Sequence, residues 1–444
     1  MPLGHRHVSR HSKVKIGQDH PLNGRIVYIP RMAQGSAEAF ASVFRWLGIE
    51  AYPTPHSDER TLELGAKHTC GDECFPAKVT VGDFLRVIEQ PGFNPHRAAF
   101  FMPTAEGPCR FGQYAPYLKK ILKTVGHEEI QILSPTSKNS YHGLGDVAGA
   151  FVRGGWRALV GADTLRKMLL RCRPYEATPG AADGCYEASM KDFCETIEHS
   201  CADPKCQLDA LVESMIRGRD RFRLMHAHYD RDVPLIGVVG EIFCRLNLFS
   251  NEDLIRKLEG YEAEAWLSDI IEWIAYTNFE QRRKLNLLGR TWTLDMLKAH
   301  LTSHVQHSDE HALQAPFKDD FLGYEEPPIE DIIECAEPYL PANGALGEMI
   351  LSVGKAAYLA NKGADGIIDI SPFTCMNGIV SEAIYPKLSK DYGGIPIRNF
   401  YFDGSQSDLD RDLGIYMELA RSYKERKPYK RNYPACFGSG VAAD

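Results

Sequence analysis

The sequence predicts an α/β protein made of two doubly wound parallel-sheet domains with a helical insert between them. Short apolar runs of strand length alternate with amphipathic stretches of helix length over residues 25–150, and the alternation resumes over 233–425. Such βαβ grammar calls for parallel strands, because each helical crossover returns the chain to the end of the sheet where it started. Residues 151–232 carry no strand signal and read as helices.

Taken in order, residues 1–24 are polar and basic and read as a tail. They lack the apolar segment of a secretory signal. His5, His7 and His11 in this tail offer metal donors, but a frayed terminus is the simpler reading. The first domain, 25–150, opens with the strand RIVYIP at 25–30. A helix follows over 36–47, with Phe40, Val43, Phe44 and Leu47 on one face, and then a strand at 49–52. A helix at 79–89, a strand at 98–102, a helix from Cys109 to about 125 and a strand at 129–133 complete it. In the insert, 151–232, helices are expected over 156–170 and 206–226, with a Gly/Pro-rich bridge at 174–184, together forming a linker or lid.

The second domain, 233–425, begins with a strand at 234–239, a helix at 251–259 and a strand at 263–267. Helices at 269–288 and 294–304 lead to a polar, proline-containing surface loop at 307–328. Helix 347–362, strand 366–370, helix 378–390, strand 395–402 and helix 408–425 follow, and 426–444 is a tail. Trp266, Trp273 and Tyr276 are expected in the core, and the two βαβ series read as distant structural duplicates of each other.

A length of 444 residues suits two or three domains with substantial cores. A formal net charge of -8 argues against general nucleic-acid binding, which needs a basic face. No apolar run approaches the ~18 residues of a membrane span. Twelve cysteines without an export signal suggest a reducing, cytoplasmic setting, where thiols bind metal, do redox chemistry or are buried. Disulfides are not expected.

The chemistry gathers at AAFFMPTAEGPCRFGQY, residues 98–114. An apolar strand stops at Pro103, a turn follows, and Cys109 opens a helix. A thiol here lies at the carboxyl end of a strand, where open α/β sheets bind ligands, and at a helix amino end, which favours a thiolate. The pattern recurs in GIIDISPFTC, which delivers Cys375, and more loosely in HTCGDECFPAK, which carries Cys70 and Cys74. Cys74, Cys109 and Cys375 therefore read as ligands converging on one site, with Cys70 as a candidate fourth. Soft thiolates from distant segments suit an iron–sulfur cluster, and a four-thiolate set suits zinc equally well.

Cys244, just past the strand at 234–239, is a reserve ligand. Cys185, Cys194, Cys201 and Cys206 lack the paired C-x2-C spacing of a zinc ribbon and read as scattered thiols. GVVGE at 237–241 is neither a dinucleotide fingerprint nor a phosphate loop. Glu241, Arg245 and Asn247 beside it, and Glu106, Arg110 and Gln113 around Cys109, are candidates to meet a polar ligand.

At GDECFPAK, FMPTAEGPCRFGQY, VGEIFCRLN and SPFTCMNGIV the chain resembles the activase-related branch of the 2-hydroxyacyl-CoA dehydratase and benzoyl-CoA reductase superfamily. It is similar to the C-terminal part of large CoA-enzyme activase fusions and, more distantly, to double-cubane cluster proteins, from about residue 24 to 420. The resemblance implies Rossmann-like domains with a cluster in the cleft between them, of the [4Fe-4S] kind or the larger [8Fe-9S] double cubane. Cys74, Cys109 and Cys375 match the family's cluster cysteines, while Cys70 stands where relatives carry serine. Also implied are a separate ATP-hydrolysing iron–sulfur activator as electron donor, a small-molecule or acyl-CoA substrate, and a homodimeric assembly. The activity implied is that of an ATP-dependent reductase or dehydratase component, and the alternative is a non-enzymatic electron-transfer or structural subunit with a closed site.

Overall fold

Among the described residues, eight short strands make two four-stranded sheets in which every pairing is parallel. The computed structural model describes residues 16–105, 109–136, 143–229, 231–345, 347–405, 408–427 and 431. The first sheet holds β1 (Ile26–Ile29), β2 (Glu50–Pro53), β3 (Ala98–Phe101) and β4 (Gln131–Leu133), in the order β2-β1-β3-β4. The second holds β5 (Leu235–Gly240), β6 (Glu264–Leu267), β7 (Gly366–Pro372) and β8 (Ile397–Phe402), in the order β6-β5-β7-β8. The two orders are the same, so the second domain repeats the topology of the first. Register follows suit: Val27 lies between Ala51 and Ala99, and Val238 between Leu267 and Ile368. Strands β3, β5, β6 and β7 are buried at every residue, which is why they read as continuous apolar runs rather than alternating ones.

In the first domain, α1 (Ser36–Trp46), α2 (Glu59–His68), α3 (Phe75–Ile88) and α4 (Tyr114–Thr124) flank the sheet. Helix α2 was not anticipated from the sequence. It packs backbone to backbone on α3, because Gly65 and Gly82 sit at the contact: a Cβ on Gly82 would come within 1.9 Å of the Thr61 carbonyl oxygen, and one on Gly65 within 2.1 Å of that of Lys78. This close pairing fixes the loop that carries Cys70 and Cys74.

The insert supplies α5 (Ala148–Cys172), α6 (Ala181–His199) and α7 (Pro204–Arg223). The second domain adds α8 (Ile242–Leu246), α9 (Leu254–Gly260), α10 (Ile270–Leu287), α11 (Leu294–Gln314), α12 (Ile329–Ala336), α13 (Glu348–Asn361), α14 (Met376–Asp391) and α15 (Leu409–Arg426). Rather than forming a lid, α5 runs through the largest core, which it shares with β1, β3, β5 and β7. Its polar residues are paired internally. Arg157, fully buried, grips Asp309 at 2.8 Å, and Asp163 accepts the Ile270 and Ile271 N–H groups at the start of α10, at 2.8 and 3.0 Å. Arg171 meets Glu264 at 2.6 Å.

Several sequence expectations change. Residues 16–24 are packed rather than tail-like, since Leu22 is fully buried and the Ile16 N–H bonds the Leu47 carbonyl at 3.2 Å. Helix α6 occupies ground assigned partly to a Gly/Pro-rich bridge, beginning after Gly180, whose φ of +85° makes the turn. Helix α11 runs ten residues past 304, to Gln314. The stretch expected as a surface loop buries Phe317, Phe321 and Tyr324. Beyond α15, Arg431 pairs with Glu264. A disulfide joins Cys201 to Cys206, against the expectation of none. Trp266 and Tyr276 are core residues, as read from the sequence, and Trp273 is half-buried.

Candidate functional site

In a sheet ordered β2-β1-β3-β4 the chain switches direction between β1 and β3, and ligand crevices lie at the carboxyl ends of the strands beside that switch. Cys109 follows β3 and Cys375 follows β7, so the two thiols occupy corresponding positions in the duplicated domains. Cys244, on α8, follows β5 across the same switch in the second sheet. Cys74 directly precedes α3.

Three of these cysteines share one local design. Cys74, Cys109 and Cys375 are each the residue before a helical turn, with extended backbone at φ -68°, -66° and -66°. The turn after Cys109 is a short 3-10 segment, Arg110–Gln113, which runs into α4. The N–H groups of Ala77, of Phe111, and of Asn377 and Gly378 favour the thiolates of Cys74, Cys109 and Cys375, although none of the sulfurs closes a full capping hydrogen bond. In addition, the Tyr114 hydroxyl lies 2.6 Å from the Cys74 sulfur.

One side chain ties the three turns together. Arg110, next to Cys109, donates from Nη1 to the Asp72 carbonyl at 2.7 Å and from Nη2 to the Thr374 carbonyl at 3.0 Å. Asp72 lies two residues before Cys74, and Thr374 immediately precedes Cys375. Thr374 has φ +63°, a left-handed conformation unusual for a β-branched residue. Such strain survives only where surrounding structure enforces it, and it clusters at functional sites.

The thiols and acids around these turns are all shifted toward their neutral forms, burial being the first cause of each. Although Cys109 is exposed as a residue, partial desolvation of its sulfur pushes the thiol up to about 11, with Glu348, Glu241 and Cys74 adding to the rise. Burial raises Cys375 to about 12, helped by Glu241 and then Glu348. Cys74 is raised mainly by burial, as is Cys244, which also feels Glu241, Cys74 and Cys375. Burial and Glu241 together lift Glu348 to about 8. These groups shift one another because they face a common region, and each resists carrying a negative charge alone. A polycationic group among them would reverse that balance.

Other sequence candidates resolve differently. Cys70 is exposed, and its N–H donates to the Glu73 carboxylate at 2.8 Å. Cys244, on α8, is fully buried, and Cys74 and Cys375 are among the groups that raise its thiol. Arg245 is buried and bonds the Gly240 and Asp269 carbonyls, and Asn247 reaches from the second domain to the Arg31 carbonyl at 3.0 Å. Both are structural ties rather than free ligand contacts. Glu241 caps α8 by accepting the Phe243 and Cys244 N–H groups. Gln113 is exposed, while Glu106, His5, His7 and His11 lie outside the described residues. Glu348, which the sequence reading passed over, belongs to the site; its only signal was an acid at the start of an otherwise apolar helix.

Among the described residues, no three His, Cys, Asp or Glu side chains come close enough together to hold a single metal ion. A cluster makes a different demand, since each thiolate binds a separate iron and the sulfurs need not meet at one point. The donor set is therefore suited to a cluster: soft sulfur atoms at helix amino ends, with N–H groups directed to them. No helix among the described residues is long and apolar enough to cross a membrane. The chain thus has two Rossmann-like α/β domains of the same strand order. No protein-family model matches it, and no curated protein matches it.

Proposed function

We propose that this is a cytoplasmic iron–sulfur protein of the 2-hydroxyacyl-CoA dehydratase and benzoyl-CoA reductase type. In this reading Cys74, Cys109 and Cys375 hold a [4Fe-4S] cluster, or a double cubane, in the cleft between the domains. A separate ATP-hydrolysing activator provides low-potential electrons for a difficult reduction or dehydration of a small molecule. The observation that supports the reading is that Arg110, beside Cys109, hydrogen-bonds the Asp72 and Thr374 carbonyls and so links the helix-opening turns that carry Cys74, Cys109 and Cys375.

The residues have separable tasks. Helix amino ends stabilise the thiolates, the Tyr114 hydroxyl donates to the Cys74 sulfur, and burial of Cys74 and Cys375 keeps water from them. Arg110 sets the spacing of the three turns. When bound, a cluster supplies one-electron chemistry at a potential tuned by ligation, hydrogen bonds and solvent exposure.

Cys244 supports a second reading. It is fully buried and interacts with Cys74 and Cys375. As a fourth ligand it would close the cluster and favour an electron-transfer subunit over an enzyme. Anaerobic purification with iron and acid-labile sulfide counts, followed by EPR of the wild type and Cys244→Ser, tests both. Stoichiometric zinc without sulfide refutes the cluster. An unchanged EPR signal in Cys244→Ser refutes the closed site.

The dependence on a partner is tested by mixing the protein with ATP, magnesium and a strong reductant. ATP hydrolysis coupled to cluster reduction by this chain alone contradicts it.

A further inference from the structure

The surface of α11 carries two features unconnected with the cysteines. His300, His304, His307 and His311 recur along it at intervals of four, three and four residues. On a helix these positions share one face, and residues four apart sit one turn above each other. All four are exposed, and none of their imidazoles takes part in a hydrogen bond or ion pair among the described residues. Alongside them runs an apolar stripe of Leu294, Leu297, Leu301 and Val305, with Leu294 74% exposed and Leu297 and Leu301 each 55%. At the foot of the stripe stands Trp292, 98% exposed.

The opposite side of α11 is already used. Ser303 and Gln306 take hydrogen bonds from Arg282 and Asn278 of α10, and Asp309 is held by Arg153 and Arg157 of α5. The exposed face is therefore not a core face left bare by mispacking. An apolar strip of this kind, centred on large side chains, marks a protein contact.

A pair of imidazoles four residues apart on a helix supplies two of the four ligands that zinc takes. No third donor lies within reach on the same chain, among the described residues. A second copy of the chain supplies the missing two. When identical helices pack antiparallel about a two-fold axis, the same flank of each meets across the seam. With the axis level with Thr302, His300 of one copy stands opposite His304 of the other, and the leucine stripes face each other. The seam carries little fixed charge. Asp295 is paired with Arg290 at 2.6 Å, and Lys298 lies on the edge of the stripe away from the histidines. Bringing two copies together thus opposes no row of like charges.

We infer that α11 is a metal-dependent self-association surface. His300 and His304 from two copies bind one Zn²⁺, or a similar borderline divalent ion, and the leucine stripes pack beneath it. This role is independent of the cysteine site and of the function proposed for it.

The test is the mass of the full chain in solution, measured by light scattering with added ZnCl₂ and with EDTA. A dimer in zinc and a monomer in EDTA are expected, with one zinc per two chains beyond any bound at cysteine. The double variant H300Q/H304Q should remain monomeric in zinc. L297Q/L301Q should weaken the zinc dimer about tenfold or more by loss of apolar burial. Both variants change exposed residues and should keep the wild-type melting temperature. A mass unaffected by zinc overturns the inference, as does a dimer that survives EDTA or a zinc dimer that survives H300Q/H304Q. Zinc bound by these histidines at one ion per monomer, with no change of mass, also overturns it.

Discussion

Replacing Arg110 with alanine removes both hydrogen bonds that join the three cysteine-bearing turns, at 2.7 Å to Asp72 and 3.0 Å to Thr374. A hydrogen bond from a charged donor contributes about 1.5–3 kcal/mol when buried. Arg110 is exposed, so solvent competition reduces each to about 1 kcal/mol, and the pair to about 2 kcal/mol. The open arrangement of the turns should then be populated about 30-fold more often. Two assays read this. In cluster-free protein, the buried Cys375 should be alkylated up to about 30-fold faster, because opening of its turn limits access. In anaerobically loaded protein, iron loss to a chelator should accelerate by a similar factor. Global stability to urea should fall by no more than about 2 kcal/mol, since the bonds lie at the surface. Arg110→Lys should recover part of the loss, because a single ammonium cannot span two carbonyls as the planar fork does. If Arg110→Ala leaves Cys375 alkylation unchanged, the guanidinium does not hold the turns and the argument for their coupling fails.

Cys109→Ser should lose far more iron than Cys335→Ser, because Cys335 lies on α12 away from any strand end; equal iron retention in the two refutes the ligand assignment. Asp83, buried against Ser57 and Thr61, is pushed up to about 7 by burial. The folded protein therefore holds a proton that the unfolded chain releases near pH 4, so this group's contribution to stability falls as pH rises from about 4 to 7. Asp83→Asn should stabilise the protein at pH 8 by about 2–4 kcal/mol and flatten that slope in urea titrations; an unchanged pH profile contradicts it. Gly82→Ala forces α2 and α3 apart and should cost about 1–3 kcal/mol in urea unfolding. Lys355 is fully buried between Glu272, at 2.9 Å, and Glu326, which also keeps Lys167 and the Trp266 indole N–H, so Lys355→Met should cost about 3–5 kcal/mol chiefly by stranding Glu272, whereas a loss below about 1 kcal/mol would show that Glu272 relaxes to solvent.

The strands and their parallel pairing are legible in the chain itself. Runs such as LIGVVG and GIIDISP are apolar almost throughout because both faces of a parallel sheet are covered. The cysteine turns are legible for a related reason, since strand, proline and cysteine are neighbours in sequence. The shared strand order, the burial of α5 and the company each cysteine keeps are not. The charges of Arg157 and Asp309 are visible in the sequence, whereas their mutual neutralisation, across 152 positions, is not. The same limit hid Phe317 and Tyr324 inside a polar stretch. Local sequence dictates backbone conformation and which faces must be covered. Which distant groups share a low-dielectric interior, and so which charges can persist and which thiols face one another, is decided only when the two sheets pack around α5.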